Sequence, residues 1–581
     1  MTEAVGIDLG TTNTVVAVFE DGCPRVVPNA EGHHLTPSVV AFTNNGTPVI
    51  GQMATRQAAA NSERTVFSIK RYMGSGQRMK INGKAFIPQE ISSLILRKVK
   101  SDTEAYLGSR VEKAVITVPA YFNDQQRQAT KEAGIIAGLD VLRIINEPTA
   151  AALSYGLHRQ DIHTILVWDL GGGTFDVSIL ECEGDIFQVM AVSGNTRLGG
   201  DDYDQRLMNC VAEQCTKTCG AVFPDDGMTR QRLKEACQKA KIDLSTKLST
   251  SIHLSLVDGN SGEHYHFESS LTREQFQEWT ADLLEKMIGP TEQALADAEL
   301  EPKDIDGVLL VGGATRMPAV QELARQLTGK EPYHGIDPDE VVAHGAAIQA
   351  GMLLGLIDGV ILLDVLPLSL GLETQGGLFT RVIHRNTPLP ASEARVFTTA
   401  ADNQCFVDIQ VLQGERELAV DNISLGDFQL QDVPSLPRGK PKIEVAFDVD
   451  VDGIVHVAAT DLLSENTKSI KVVSSRGIDP DSIRQMIAEA EVYTEADRMK
   501  REQIEAGIQA DSVIAAAEMA IEEAWGFHRD DLVAEIERGV IKVKQALADG
   551  SSDETRQQIT DLRDLLRVIH SEMLNGVKQP V

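Results

Sequence analysis

From residue 4 to about 358, short β-branched and apolar runs (VVAVF, AVITVPA, TILVWDL, VLLVGG) alternate with longer stretches of helical spacing, the rhythm of an α/β domain. Within it, DYDQRLMNCVAEQCTKTCG has the spacing of a helix. The rhythm stops at 359–364, GVILLD, an apolar run too short for a helix and placed just ahead of Pro367. It predicts a linker whose apolar side chains are not always exposed. Between about 365 and 475, FVDIQVLQ, KIEVAFDVDVDGIVHVAAT and KSIKVVSS alternate with period two and are separated by Gly, Pro, Asn and Asp turns, which predicts a β-sandwich. DVDVDG at 448–453 imitates a calcium loop, but its twelfth position is Ala459 rather than Glu, so an Asp-Gly hairpin turn is the better account. From Pro480, DPDSIRQMIAEAEVYTEADRMKREQIEAGIQADSVIAAAEMAIEEAW is rich in Ala, Glu, Arg and Met at helical spacing, and further helical stretches follow at about 529–548 and 553–574.

At 581 residues the chain exceeds what one hydrophobic core usually serves. Apolar residues make up 42% and charged residues 24%, the balance of a chain that folds. Against 54 Lys and Arg stand 85 Asp and Glu, a formal charge of -31, which repels phosphodiester backbones and anionic membranes. Neither nucleic acid nor a membrane is an expected partner. MTEAVGIDLG has no basic start or apolar core of signal-peptide type, so a cytoplasmic protein is expected. The seven scattered cysteines fit reduced thiols. Cys210, Cys215 and Cys219 cluster on the predicted helix, but a structural zinc needs a fourth ligand and C-x-x-C pairs, so packed or surface thiols are favoured.

No G-x-x-x-x-G-K-[ST] loop occurs. Instead VGIDLGTTNTVVAVF and LVWDLGGGTFDVSIL, at 166–180, repeat one unit: a strand, Asp-Leu-Gly, small residues with Thr, and a second strand. Gly10 in the first turn and Gly171, Gly172 and Gly173 in the second let backbone N–H groups converge on an anion without a lysine. Asp8 and Asp169 at the strand ends then face one cleft, where two carboxylates beside a triphosphate suit Mg²⁺ held largely through water. LLVGGATRMPAV adds a strand, Gly312, Gly313 and then a helix, with Arg316 available to stack on a purine. A single Gly-Gly is more often an ordinary turn; the duplicated unit, followed in order by the third element, reverses that balance.

Together GIDLGTTN, SIKRYMG, VITVPAYFND, INEPTAAALSYG, DLGGGTFDVS, LGGDD, LLVGGATRMP, LLDVLPLSLG and VLQGERE resemble the DnaK-type heat-shock protein 70 chaperone family over nearly the whole chain. The resemblance implies an α/β actin-like ATPase domain of duplicated ribonuclease-H-like lobes over 1–358 and a hydrophobic linker over 359–366. A β-sandwich peptide-binding domain over 367–476 and an α-helical lid over 477–581 complete the implied layout. The implied activity is ATP-dependent: ATP and water become ADP and phosphate, and hydrolysis and exchange close and open a clamp on extended apolar segments of unfolded polypeptide. ATP/ADP and Mg²⁺, with K⁺ as an optional further ion, are the implied ligands; a J-domain co-chaperone and a GrpE-type exchange factor are the implied partners.

Carried over by position, Thr11, Thr12 and Asn13 line the first turn, and Lys70 contacts the γ-phosphate and the attacking water. Asp8, Glu147, Asp169, Thr174 and Asp176 organise metal and water, with Asp8, Asp169 and Asp176 as the metal set. Gly199, Gly200, Gln238, Lys241, Ser245, Gly312, Gly313, Ala314, Arg316 and Asp339 hold the rest of the nucleotide. Pro119, Arg127, Arg143, Asn146, Leu362, Leu363 and Asp364 carry the allosteric relay and the J-domain face. Leu372, Thr374, Gln375, Leu378, Phe397, Thr398, Ala400, Gln404, Val407 and Ile409 form the peptide site.

The chain departs from the family at Gln238, where an acid is usual, and at Gln375, one of two positions that arch over peptide with Ala400. The first points to altered nucleotide affinity, the second to altered substrate preference. It is also shorter around 74–86, as in Gram-positive-like DnaK proteins, and ends in LNGVKQPV without an acidic tail, which together suggest a bacterial short form. A small-molecule kinase of the same fold leaves 365–581 without a purpose. A degenerate relative that holds peptide or serves another chaperone while hydrolysing ATP weakly is the second alternative, against which the full set Asp8, Lys70, Glu147, Asp169, Thr174 and Asp176 argues.

Overall fold

The computed structural model describes residues 4–471 apart from 157–162, 185, 196, 220–222, 224–225, 258–263, 334, 336 and 358; beyond 502 it describes scattered residues up to 524, then 530–576 apart from 551. Two compact units are present. The first comprises Met1–Leu370, Val382–Asp408 and Leu425–Arg484, the second Gly371–Arg381, Ile409–Ser424 and Gln485–Val581.

The duplicated sequence unit produces two sheets of one connectivity in the first unit. In the first sheet Ala4–Leu9 pairs antiparallel with Asn13–Glu20 and parallel with Lys113–Val118, and Asp140–Asn146 and Cys23–Val26 lie at its ends. In the second, Thr164–Leu170 pairs antiparallel with Phe175–Glu183 and parallel with Gly307–Val311. A hairpin lets the first two strands of each unit run antiparallel, whereas a parallel neighbour requires a long crossover, which helices supply. Val5, Ile7, Val16, Val18, Ile116 and Val118 pack in the first core with Ile91, Ile95 and Ala133 of the helices Pro88–Leu107 and Asp124–Ile136. Leu166, Trp168, Val177 and Ile179 pack in the second with Leu207 and Leu244 of Gly200–Cys219 and Gly227–Thr246.

Gly200–Cys219 is the helix expected at the cysteine cluster. Cys215 is buried in the core, where it behaves as a small apolar side chain, and Cys210 is partly exposed. The side chain of Cys219 lies outside the described residues.

The helix Val341–Leu353 is apolar apart from His344 and Gln349 and buried along most of its length, and a glycine on it and one on a neighbouring strand allow close approach. A Cβ on Gly345 would lie 1.8 Å from the Ala150 carbonyl oxygen of the helix Glu147–Gly156, and one on Gly6 2.1 Å from the Ala347 nitrogen.

The GVILLD run forms a short strand, Ile361–Leu363, parallel to Ile186–Gln188 at the edge of the second sheet. Leu362 is buried and Ile361 half exposed, as an edge strand with one covered face requires. Ala391–Phe397, Ile443–Val449, Val455–Asp461 and Thr467–Lys471 form an antiparallel sheet, and the Asp450–Gly453 hairpin turn, with Gly453 at φ 77°, stands where the calcium-like sequence occurs.

In the second unit, Phe379 and Leu412 pack with Ala419, and Asn422 closes the 416–422 turn by accepting the Arg416 N–H at 3.0 Å and donating to the Arg416 carbonyl at 2.8 Å. The helices Asp530–Ala548 and Ser552–Gly576 stand where helical spacing placed them, and Ile536, Val543, Ile559 and Leu562 bury their apolar stripes. The stretch 472–502, part of the expected helical segment, lies outside the described residues.

Candidate functional site

Three glycine turns line a cleft of about 330 Å³ in the first unit. In the first turn a Cβ on Gly10 would meet the Asn13 carbonyl oxygen at 2.1 Å, so only glycine passes there. In the second, the Gly200 and Asp201 N–H groups donate to the Gly171 and Gly172 carbonyls at 2.9 and 2.8 Å, which seats the turn on the N-terminus of the helix Gly200–Cys219. In the third, Gly312 has φ 80° and donates its N–H to the Pro338 carbonyl at 2.9 Å.

Asp8, Lys70, Glu147, Asp169 and Thr174 all face this cleft. Lys70 is buried and ion-paired with Glu147. Asp8 accepts the Thr117 hydroxyl at 3.2 Å; burial, and then the Glu147 charge, pushes its carboxyl up to about 7. Burial followed by Glu147, Asp176 and Asp8 holds Asp169 well above the usual carboxylate range. Strand register sets Asp176 opposite Asp169, where it is fully buried, accepts the Tyr121 N–H at 3.3 Å and is pushed up to about 7 by burial and Glu147.

Four carboxylates share one ammonium here, and burial followed by the Glu147 charge makes all three aspartates hold their protons tightly. The donor set fits a hard cation that relieves this excess of negative charge. Among the described residues no three His, Cys, Asp or Glu side chains converge closely enough to ligate a metal directly, so Asp8 and Asp169 suit an ion held through water.

At the far end of the cleft, Gln238, Lys241 and Ser245 project from the helix Gly227–Thr246. The Lys241 ammonium is occupied by Asp204 at 2.9 Å and the Gly200 carbonyl at 2.8 Å. Arg316 lies against Asp337 and Asp339 at 2.7 and 2.8 Å, so its guanidinium plane is held at the cleft edge.

Of the nucleotide-site candidates, Gly173, Gly199 and Asp176 stand behind the lining; Gly10, Thr11, Thr12, Asn13, Gly171, Gly172, Gly200, Gly312, Gly313, Ala314 and Asp339 line it with those already named. Asp201 and Asp204 also line it and escaped the sequence reading, although LGGDDYD carries them beside the glycines that were singled out.

The relay candidates meet one another. Arg127 donates to Asn146 Oδ1 at 2.6 Å and Asn146 donates to Asp364 Oδ2 at 2.7 Å; burial raises the Asp364 carboxyl, and the Arg127 charge, the Val365 N–H and then the Arg143 charge oppose it. Pro119 accepts the Phe122 N–H at 3.1 Å in the turn before the Arg127 helix. Asp452, at the hairpin tip that sequence treated only as a turn, belongs to the same group: its carboxylate accepts Lys131 Nζ at 2.5 Å and the Ile144 N–H at 3.0 Å.

The peptide-site candidates are distributed over the two units. In the second, Leu372, Leu378 and Ile409 are buried, Thr374 donates to the Leu378 carbonyl at 3.2 Å, and Gln375 is exposed. In the first, Phe397 and Val407 are half-buried and Thr398 donates to the Pro441 carbonyl at 2.7 Å. Gln404 closes the 400–406 loop by accepting the Ala400 N–H at 3.1 Å and donating to the Phe406 carbonyl at 2.8 Å.

Among the described residues no helix is long and apolar enough to cross a membrane. The protein-family model described as Hsp70 protein matches residues 4–80 and 75–575.

Proposed function

The chain belongs to the Hsp70 family of ATP-hydrolysing chaperones, and we propose that it hydrolyses ATP in the three-turn cleft to drive a clamp on extended, apolar polypeptide. The observation that carries this reading is the meeting of two Asp-Leu-Gly turns and the Lys70–Glu147 pair around one cleft.

Backbone N–H groups of Gly10–Asn13 and Gly171–Thr174 orient the phosphates, and the glycines keep side chains out of the way. Lys70 sets a positive charge where negative charge develops on the transferred phosphoryl group, and Glu147 holds that ammonium in place. Asp169 and Glu147, which line the cleft, accept hydrogen bonds from the attacking water, and Asp176 supports Asp169 from behind the lining. When bound, Mg²⁺ supplies further charge neutralisation, and Asp8 and Asp169 are the groups that would hold it. Gln238, Lys241 and Ser245 meet the ribose, and Arg316 covers the base.

The relay of Arg127, Asn146, Asp364 and the linker strand then ties the cleft to the peptide-binding strands. In this reading a J-domain protein engages Arg143, Asn146 and Asp364, and an exchange factor releases ADP.

Single-turnover hydrolysis in Mg²⁺ tests the catalytic part. Lys70→Ala is expected to lower the rate by about a hundredfold or more while ATP still binds. Unchanged turnover in that variant contradicts the assignment.

A further inference from the structure

Lys70 sits on a tight turn, Ile69–Tyr72, whose Ile69 belongs to the core of the first sheet, as does Met73, which follows it. The two residues that flank it reach across the cleft. Ser68, at −2, has φ 51°, a left-handed conformation that a non-glycine residue holds only when its surroundings impose it. Its hydroxyl donates to Asp201 Oδ2 at 2.6 Å. Arg71, at +1, donates from Nη2 to the Gly173 carbonyl at 3.1 Å, to Asp202 Oδ2 at 2.7 Å and, more weakly, to the Gly172 carbonyl at 3.5 Å. Asp202 Oδ2 also accepts the Gly199 N–H at 2.8 Å, which fixes the carboxylate. A Cβ on Gly173 would lie 2.8 Å from Arg71 Nε, so the missing side chain at 173 makes room for the guanidinium. Arg71 itself does not line the cleft.

Resting on the ATPase reading, we propose that Ser68 and Arg71 are positioning residues: they clamp the Lys70 turn to the second glycine turn and to Asp201 and Asp202, so that Lys70 reaches its working position only when the two sides of the cleft close. An exposed ion pair contributes little, and Arg71 and Asp202 are only about one quarter exposed. What sets this pair apart is its second anchorage on the carbonyls of the phosphate turn itself, next to a strained Ser68. Losing the clamp displaces Lys70 without removing any group that touches nucleotide. The loss therefore falls on the rate rather than on affinity.

The test compares ATP binding and single-turnover hydrolysis for the intact chain, Lys70→Ala, Arg71→Ala, Arg71→Lys, Asp202→Asn, the Arg71→Ala/Asp202→Asn double variant and Ser68→Ala. Arg71→Ala is expected to slow hydrolysis by about thirty- to a hundredfold with ATP affinity within about threefold of the intact chain. Arg71→Lys should recover part of the rate, and the double variant should be no slower than the slower single. Ser68→Ala should slow hydrolysis several-fold, and it decides the matter alone if Arg71→Ala does not fold.

Wild-type turnover in Arg71→Ala and Ser68→Ala, a loss confined to affinity, or additive effects of Arg71→Ala and Asp202→Asn overturns the clamp while leaving the ATPase intact. No turnover in the intact chain overturns both.

Discussion

Asp8 and Asp176 have carboxyls lifted to about 7 by burial and by Glu147. A carboxyl with a raised folded pKa binds its proton more tightly than the unfolded chain does, so the stability it lends is complete below the ordinary carboxylate range and disappears as pH climbs through about 7. Asp176→Asn is therefore expected to stabilise the ligand-free protein at pH 8 by on the order of 1–3 kcal/mol and to change little at pH 4.5, as read from denaturant melts at the two pH values. Equal effects at both would show that Asp176 is not titrating in this range. Gly312 makes a separate demand: at φ 80°, and with Leu170 O only 2.4 Å from where a Cβ would stand, Gly312→Ala is expected to cost about 1–3 kcal/mol and to weaken ATP binding, measured by thermal melts with and without nucleotide. Asp8 was legible in sequence because an Asp at a strand end followed by glycine is a local signal, and Gly312 because a Gly-Gly follows a strand; Asp176 was reached only through the family resemblance. Asp204 and the Ser68–Asp201 contact were not, since their meaning depends on partners 37 and 133 positions away.

Among the elements, short apolar runs located the strands around both glycine turns, which are buried on both faces, and helical spacing located the two C-terminal helices, each of which buries an apolar stripe. The linker was legible as apolar and brief; that it completes a sheet edge beside Ile186–Gln188 was not, since a three-residue strand acquires its register only from its neighbour. The hairpin tip was read as a turn, and Asp452 shows why that was incomplete: its carboxylate serves a lysine and a backbone N–H that lie far away in sequence. Asp452→Ala is expected to leave the Ile144 amide without its acceptor and to speed its hydrogen exchange by about tenfold, at a stability cost on the order of 1–3 kcal/mol. Unaltered exchange at Ile144 would remove Asp452 from the relay.

For the whole molecule, the acidic composition argues against a nucleic-acid partner, and the order of the motifs points to an ATPase ahead of a peptide-binding region; membership of the Hsp70 family supports a chaperone. In the proposed reading the departures at Gln238 and Gln375 alter nucleotide affinity and substrate preference and leave the Lys70–Glu147 pair in place. The central claim is that the cleft and the peptide-binding strands act on one another through the linker strand, in which Leu362 is buried. The most direct measurement is single-turnover ATP hydrolysis with and without an apolar heptapeptide and a J-domain protein, in the intact chain and in Leu362→Asp. Stimulation in the intact chain, lost in Leu362→Asp while basal turnover persists, is the predicted result. Hydrolysis indifferent to peptide and J-domain protein, or equally stimulated in Leu362→Asp, contradicts it.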